Sequence, residues 1–239
     1  MQINYLLGYE NLKVCQDDKM FKFSIDSVLL PNFVTLSSKK CKILDIGCGN
    51  AVIPLVLTTR TKNNIDAVEI QEDVYELGLK SIELNRLQNQ ISIYNQDIKD
   101  YSKNMESDVY DTITCNPPFF KDNMVTNDSN YKTIARHEKS LNLEDIMTIA
   151  RKLLKNNGNI AIVHRTERLV DIISTMRKNN IEPKKIQFVY PKENKDSNIL
   201  LIEGTKNGKP GIKILEPLYL HNQDDSYTEQ LKKYLDNSL

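Results

Sequence analysis

The chain of 239 residues is short of several things, and each shortage excludes something. It has no excess charge, because 32 Lys and Arg stand against 32 Asp and Glu. No global field draws in a polyanion, so a nucleic-acid partner would need a local basic face. No apolar run reaches the roughly 18 residues of a membrane helix, so no segment is expected to cross a bilayer. The first residues, Met1-Gln2-Ile3-Asn4-Tyr5, lack the basic and apolar regions of a signal peptide, and a cytoplasmic protein is the expectation. Only three histidines and four cysteines occur, and none of Cys15, Cys41, Cys48 and Cys115 forms a C-x-x-C pair. That argues against a zinc site and against a disulfide scaffold, and no metal is expected. Cys48 and Cys115 read as compact residues in tight places. No repeat or low-complexity linker appears, so residues 1–239 read as a single domain, with 1–22 as a lead-in carrying a hairpin.

What is present alternates. Apolar runs that read as strands occur at Ile43–Ile46, Ile65–Ile70, Ile91–Tyr94, Asp111–Cys115, Asn159–His164, Ile186–Tyr190, Ile199–Glu203 and Ile212–Leu215. Helical periodicity lies between most of them: after Asp26, over 52–57, from Glu72 to Asn89, from Leu143 to Leu154 with Asn157-Gly158 closing it, from Glu167 to Lys178, and from Thr228 to Leu235. Strands alternating with helices predict a parallel sheet covered on both faces, and the closing strands without a helix between them predict an antiparallel edge.

Chemistry gathers at the strand ends. Asn116-Pro117-Pro118-Phe119 follows the apolar Thr112–Cys115 run. Two prolines cannot continue a ladder, since neither has an amide donor and both fix φ. The chain must turn rigidly there, presenting a side-chain amide, carbonyls and a ring. Such a turn suits a planar amino group, although a plain proline turn has the same outline. Earlier, the Ile43–Ile46 run ends in Gly47-Cys48-Gly49, and a helix with Pro54 in its first turn follows. Glycines there let backbone approach a ligand at a helix start. Glu69 stands 20 residues beyond Gly49, where a carboxylate can accept both hydroxyls of a ribose. Asp26 reads as the cap of the helix after it, or as part of a loop folding over a cofactor. Residues 120–140 lack periodicity and read as a substrate loop.

Two nucleotide motifs fail. The dinucleotide fingerprint needs a third small residue where Val52 stands, and no G-x-x-x-x-G-K-[ST] exists. Asp45-Ile46-Gly47-Cys48-Gly49-Asn50-Ala51 instead resembles the D-x-G-x-G-x-G loop of class I S-adenosylmethionine-dependent methyltransferases, with Ala51 in place of the last glycine. The resemblance implies a Rossmann-like, seven-stranded, mostly parallel sheet with helices on both faces and an antiparallel last strand. It implies that Asp45, Gly47 and Gly49 surround the methionine part of the cofactor and that Glu69 holds the ribose. Asp97 would accept from the adenine amine, with Ile98 beside the ring; Asp26 and Asn116 would also line the cofactor.

Asn116-Pro117-Pro118-Phe119 in turn resembles the [DNS]-P-P-[YFW] motif of amino-methylating members. With Phe21–Asp26, Ala135-Arg136-His137-Glu138, Val163–Leu169 and Pro217-Leu218, the whole resembles the bacterial tRNA1(Val) adenine-37 N6-methyltransferase family. The implied roles are catalytic for Asn116, Pro117 and Phe119, and RNA-facing for Phe120, Lys121, Arg136, His137, Arg165 and Arg168. A basic, solvated surface would carry the same charges without RNA. The implied partner is tRNA at its anticodon loop, met by a monomer. Other amino targets stay open: guanine N2 of rRNA, adenine of DNA, or a protein glutamine. A silent RNA-binding module that kept the cofactor fold is the reading from another class.

Overall fold

The computed structural model describes residues 2–17, 24–37, 39–117 and 141–236. Pro118, Phe119, Phe120, Lys121, Arg136 and His137 lie outside the described residues, as do Phe21, Lys22 and Phe23.

The chain opens with a hairpin, β1 (Gln2–Leu6) and β2 (Tyr9–Gln16), turning at Gly8 with φ +80°. Then follow α1 (Asp26–Phe33), β3 (Ile43–Ile46), α2 (Val52–Leu57), β4 (Ile65–Glu69), α3 (Glu72–Leu84), β5 (Ile91–Asn95), α4 (Ile98–Asn104) and β6 (Tyr110–Cys115). After 118–140 come α5 (Leu143–Leu153), β7 (Leu154–His164), a short 3-10 turn (Thr166–Arg168), α6 (Leu169–Lys178), β8 (Ile181–Lys192), β9 (Ile199–Lys206), β10 (Lys213–Ile214), β11 (Leu218–His221) and α7 (Glu229–Leu235).

The main sheet has nine strands in the order β10-β8-β9-β7-β6-β3-β4-β5, with β11 also on β8. All its pairings are parallel except the two made by β9. The expected class therefore holds, with one change. Two short strands, β10 and β11, raise the count from seven to nine; β9, the last of the other seven, is the antiparallel one. The β3, β4 and β5 series runs one way across the sheet, and β6 returns to the other side of β3. Parallel strands that diverge like this leave a crevice at their carboxyl ends, where such sheets take ligands.

Alternation along the strands builds two cores. Ile43, Ile65 and Ala161 join Leu29, Leu30, Leu55, Val56 and Leu231 on one face. Leu44, Ile46, Val68 and Ile113 join Tyr101, Ile146, Met147 and Ile172 on the other. Helices α1, α2 and α7 thus cover one face, and α4, α5 and α6 the other. Capping sets α5: Asn142 accepts from the Asp145 amide while Asp145 accepts from the Asn142 amide.

Several boundaries depart from the sequence expectations, three of them at helix ends. Helix α3 stops at Leu84 rather than Asn89, and Arg86 turns left-handed at φ +57°. Asn157-Gly158 does not close α5, which ends at Leu153 and passes directly into β7. Those two residues form an irregularity in β7 instead, where the register with β6 slips between Tyr110 and Thr112. A Cβ on Gly158 would sit 3.0 Å from the Asp111 and Lys155 carbonyls, so the close approach needs glycine. Asp26 is not the cap of α1: that position is Ile25, with no side-chain cap bond, and Asp26 is the first helical residue.

Candidate functional site

The sequence-picked residues that the structure describes fall in a row along one edge. In spatial order the strand ends present Asp97 after β5, Glu69 at the end of β4, the Gly47–Ala51 loop after β3, Asn116 after β6 and Arg165 after β7.

The loop is shaped by backbone. Gly47, Gly49 and Ala51 have φ of +67°, +58° and +68°. An added Cβ on Gly47 or Gly49 would meet nothing within 4 Å, so open space lies beside both. Gly47 and Cys48 donate to the Val68 carbonyl, which ties the loop to β4. Glu69 closes the other side: Gly49 N donates to its Oε2 at 3.0 Å and Gln71 N to its Oε1 at 2.9 Å. A carboxylate in this place has the chemistry to accept from ligand hydroxyls. Glu69 is only 5 % exposed, so it faces the crevice and not bulk water.

Asp45 differs. It is fully buried, and Thr114 Oγ1 donates to its Oδ1 at 2.6 Å. Its Oδ2 is buried with no hydrogen-bond partner among the described residues. Burial pushes its pKa up to about 8, and the Glu69 charge adds to the rise against the Thr114 hydrogen bond. An orphaned buried acceptor beside an open glycine loop fits a site that takes a cationic ligand. Cys48 and Cys115 are buried nearby with thiols pushed up by burial, which removes them as nucleophiles.

Asp97 is the N-cap of α4, accepting from Lys99 N through Oδ1 at 2.7 Å. Among the described residues its Oδ2 makes no hydrogen bond. Ile98 starts α4 and is buried against the core. Asp26 is buried too; Ser24 Oγ donates to it at 3.0 Å. Burial raises its pKa, while that hydrogen bond and the Arg165 charge oppose the rise.

Asn116 donates through Nδ2 to Ser27 Oγ at 2.9 Å. Among the described residues nothing donates to its Oδ1. Pro117, buried, follows. Arg165 is exposed at the β7 end, but Arg168 pairs with Asp171 at 2.7 Å. Beside them His164 accepts from Arg165 N, and burial, with the charges of Arg168 and Arg165, pushes its pKa down to about 4. It is a neutral imidazole at physiological pH.

Sequence reasoning missed four contributors. Thr114 carries Asp45, and Ser27 carries Asn116. Gly78 lets α3 close on the loop: a Cβ there would lie 3.0 Å from the Gly49 carbonyl and 2.8 Å from Ile93 Cδ1. A lone glycine inside a helical pattern was the available signal. Asn50 donates to the Cys15 carbonyl at 3.1 Å, and Cys15 N donates to Ser81 Oγ at 2.9 Å, tying the hairpin to the loop and to α3. Among the described residues, no group of three His, Cys, Asp or Glu could hold a metal, and no helix is long and apolar enough to cross a membrane.

The methyltransferase small domain family matches residues 22–179, about two thirds of the chain. The chain belongs to that family. Among curated relatives, it is 32% identical over 201 residues to the tRNA1(Val) (adenine(37)-N6)-methyltransferase of Parabacteroides distasonis, covering 84% of this chain and 83% of that one. It is 28% identical over 232 residues to the protein of the same name from Christiangramia forsetii, covering 96% and 95%. Among solved structures, a predicted O-methyltransferase of Agrobacterium tumefaciens superposes with a TM-score of 0.70 at 18% identity, covering 89% of this chain and 95% of that one. This last likeness speaks to the fold alone. As a small-domain methyltransferase, the chain carries the family's cofactor, S-adenosyl-L-methionine, and the loop, Asp45 and Glu69 suit it.

Proposed function

We infer that this protein transfers a methyl group from S-adenosylmethionine to the exocyclic N6 of an adenine in tRNA, at position 37 of tRNA1(Val). Family membership supplies the donor, and the near full-length likeness to tRNA1(Val) methyltransferases supports the acceptor. The observation that carries the chemistry is Asn116, which stands at the strand end beside the glycine loop, with no donor to its Oδ1 among the described residues.

When bound, the cofactor supplies an electrophilic sulfonium methyl: the N6 lone pair forms the new N–C bond, the C–S pair stays on sulfur, and an N6 proton leaves to water. The protein's task is placement. Adenine N6 is a weak nucleophile because its lone pair is delocalised into the ring. Asn116 Oδ1 and the Pro117 carbonyl accept its two N–H bonds, which draws the nitrogen towards a tetrahedral shape and aims its lone pair. Phe119 stacks on the base, a contact worth about 1–3 kcal/mol in nucleic-acid systems. Glu69 holds the ribose and Asp97 the adenine amine of the donor. Positioning of this kind accelerates an in-line transfer without a strong base. His164, held neutral and already accepting from backbone, is left out of the proton path.

A base must leave its stack to enter such a clamp, which costs least in a loop. We accordingly place the substrate contact at the anticodon loop, with Phe120, Lys121, Arg136, His137, Arg165 and Arg168 facing RNA. Arg168 would have to leave Asp171, which engages it at 2.7 Å, to meet RNA. The protein acts as one domain, as a monomer, in the cytoplasm. The test is to incubate it with labelled S-adenosylmethionine and tRNA, then digest and identify the nucleoside. Label in N6-methyladenosine is expected; label in 2-methylguanosine, or only in protein, sinks the reading.

A further inference from the structure

We propose that Ser27 is a positioning residue for methyl transfer: its hydroxyl holds the Asn116 amide in place at the end of β6. The inference rests on Asn116 being the amine clamp.

The clamp needs the Asn116 carbonyl oxygen at one place, and a side-chain amide is free to swing about two torsions unless something holds it. The Asn116 main chain gives no ladder support, because it has left the sheet at Cys115 and runs into two prolines. Nδ2 donates to Ser27 Oγ at 2.9 Å, and among the described residues this is the one hydrogen bond that holds the amide.

Ser27 itself is well anchored. It is the second residue of α1, its amide donates to the Ser24 carbonyl at 3.1 Å, and the neighbouring Val28, Leu29 and Leu30 are buried. Its hydroxyl is partly exposed and bonded to nothing else described. Oγ can accept from Nδ2 while its own hydrogen points away. The contact spans 89 positions of sequence, so the start of α1 sets the geometry at the end of β6. Preorganisation by a supporting partner is what keeps such a group within the narrow tolerance that transfer needs.

The test compares Ser27→Thr with Ser27→Val. The two side chains share shape and volume and differ in the hydroxyl. Turnover is followed with labelled S-adenosylmethionine and unmodified tRNA1(Val) transcript. Ser27→Val should lower kcat about three- to tenfold, the worth of one neutral hydrogen bond. Cofactor and tRNA dissociation constants and the melting temperature should match those of Ser27→Thr, which should recover most of the lost turnover. Equal rates for the two variants, or a Val loss carried entirely by cofactor or tRNA binding or by stability, overturns the proposal. Asn116→Ala separates it from its parent. An active Asn116→Ala enzyme removes the clamp itself, whereas an inactive one beside a fully active Ser27→Val removes only the role of Ser27.

Discussion

The two halves of the crevice are built from different materials. The cofactor half, between β3 and β4, is held by backbone: three residues at positive φ, amides onto the Val68 carbonyl, and amides onto both Glu69 oxygens. The proposed substrate half, at the end of β6, depends on side chains, with one side-chain hydrogen bond among the described residues, from Asn116 to Ser27. A backbone cradle shares its work over many small contacts, so damage there is graded and reads out as affinity. A side-chain clamp concentrates its work in one amide, so damage there is abrupt and reads out as rate. Asn116→Ala is thus expected to have the largest effect, about 10²- to 10³-fold on kcat, with cofactor affinity within about twofold of wild type. Isothermal titration beside single-turnover rates checks both halves of that statement. A rise in cofactor Kd that matched the loss of rate would merge the two regions into one.

Glu69→Ala should do the opposite. It removes the proposed ribose acceptor and leaves the Gly49 and Gln71 amides without their Glu69 partner. Hydrogen bonds to a charged group are worth about 1.5–3 kcal/mol, so Kd for the cofactor should rise roughly 10- to 100-fold. At saturating cofactor, kcat should largely recover. A kcat that stayed low under saturation would show that Glu69 also shapes the transfer geometry, and the division between cradle and clamp would fail there.

How much of this was legible beforehand follows the same division. Glycine spacing, the acid at the next strand end and the proline turn are local signals, because each is a requirement on neighbouring backbone. The row of strand ends followed from the alternation of strands and helices. Thr114, Ser27 and Gly78 were hidden because their partners lie 69, 89 and 29 positions away in Asp45, Asn116 and the Gly49 carbonyl. No local pattern encodes a partner at that distance. The end of α5 was misread for a related reason: Asn157-Gly158 has the chemistry of a helix stop, but the tight approach to the Asp111 carbonyl is a demand of the sheet.

Asp45 sharpens the comparison from inside the cradle, since it is a side chain there with one oxygen unpaired. Its folded-state pKa is raised to about 8, chiefly by burial, against about 3.9 in an unfolded chain. The folded protein therefore binds the proton more tightly than the unfolded one. The contribution is fully present below about pH 4 and is lost as pH rises through about 8. Asp45→Asn cannot ionise, so the variant's melting temperature relative to wild type, both without cofactor, should climb between pH 5 and 8. Each 1 kcal/mol of that difference should appear as roughly 2–4 °C for a chain of this size. A difference flat across that range would mean that Asp45 ionises freely and that its orphaned oxygen carries no cost.

The smallest effect is expected at Ala51, and it tests whether the cradle's tolerance has a physical basis. Ala51 stands in the left-handed region at φ +68°, where its family's loop carries glycine. A non-glycine residue there costs roughly 1–2 kcal/mol. Two terms offset this. The Ala51 methyl is fully buried in the core against α2 and α3, and a buried methyl contributes about 0.8 kcal/mol. Alanine also spares the unfolded chain the extra freedom of glycine, worth about 0.4–1 kcal/mol. The sum is near zero, so Ala51→Gly should move the melting temperature by no more than a few degrees and the cofactor Kd by less than about twofold. Gly49→Ala is the control: its φ is similar at +58°, but its added methyl would meet nothing within 4 Å. It bears the strain without the packing, and its methyl stands in the space meant for the ligand. If Ala51→Gly proved as damaging as Gly49→Ala, the left-handed loop would depend on side-chain packing after all, and the contrast with the clamp would narrow.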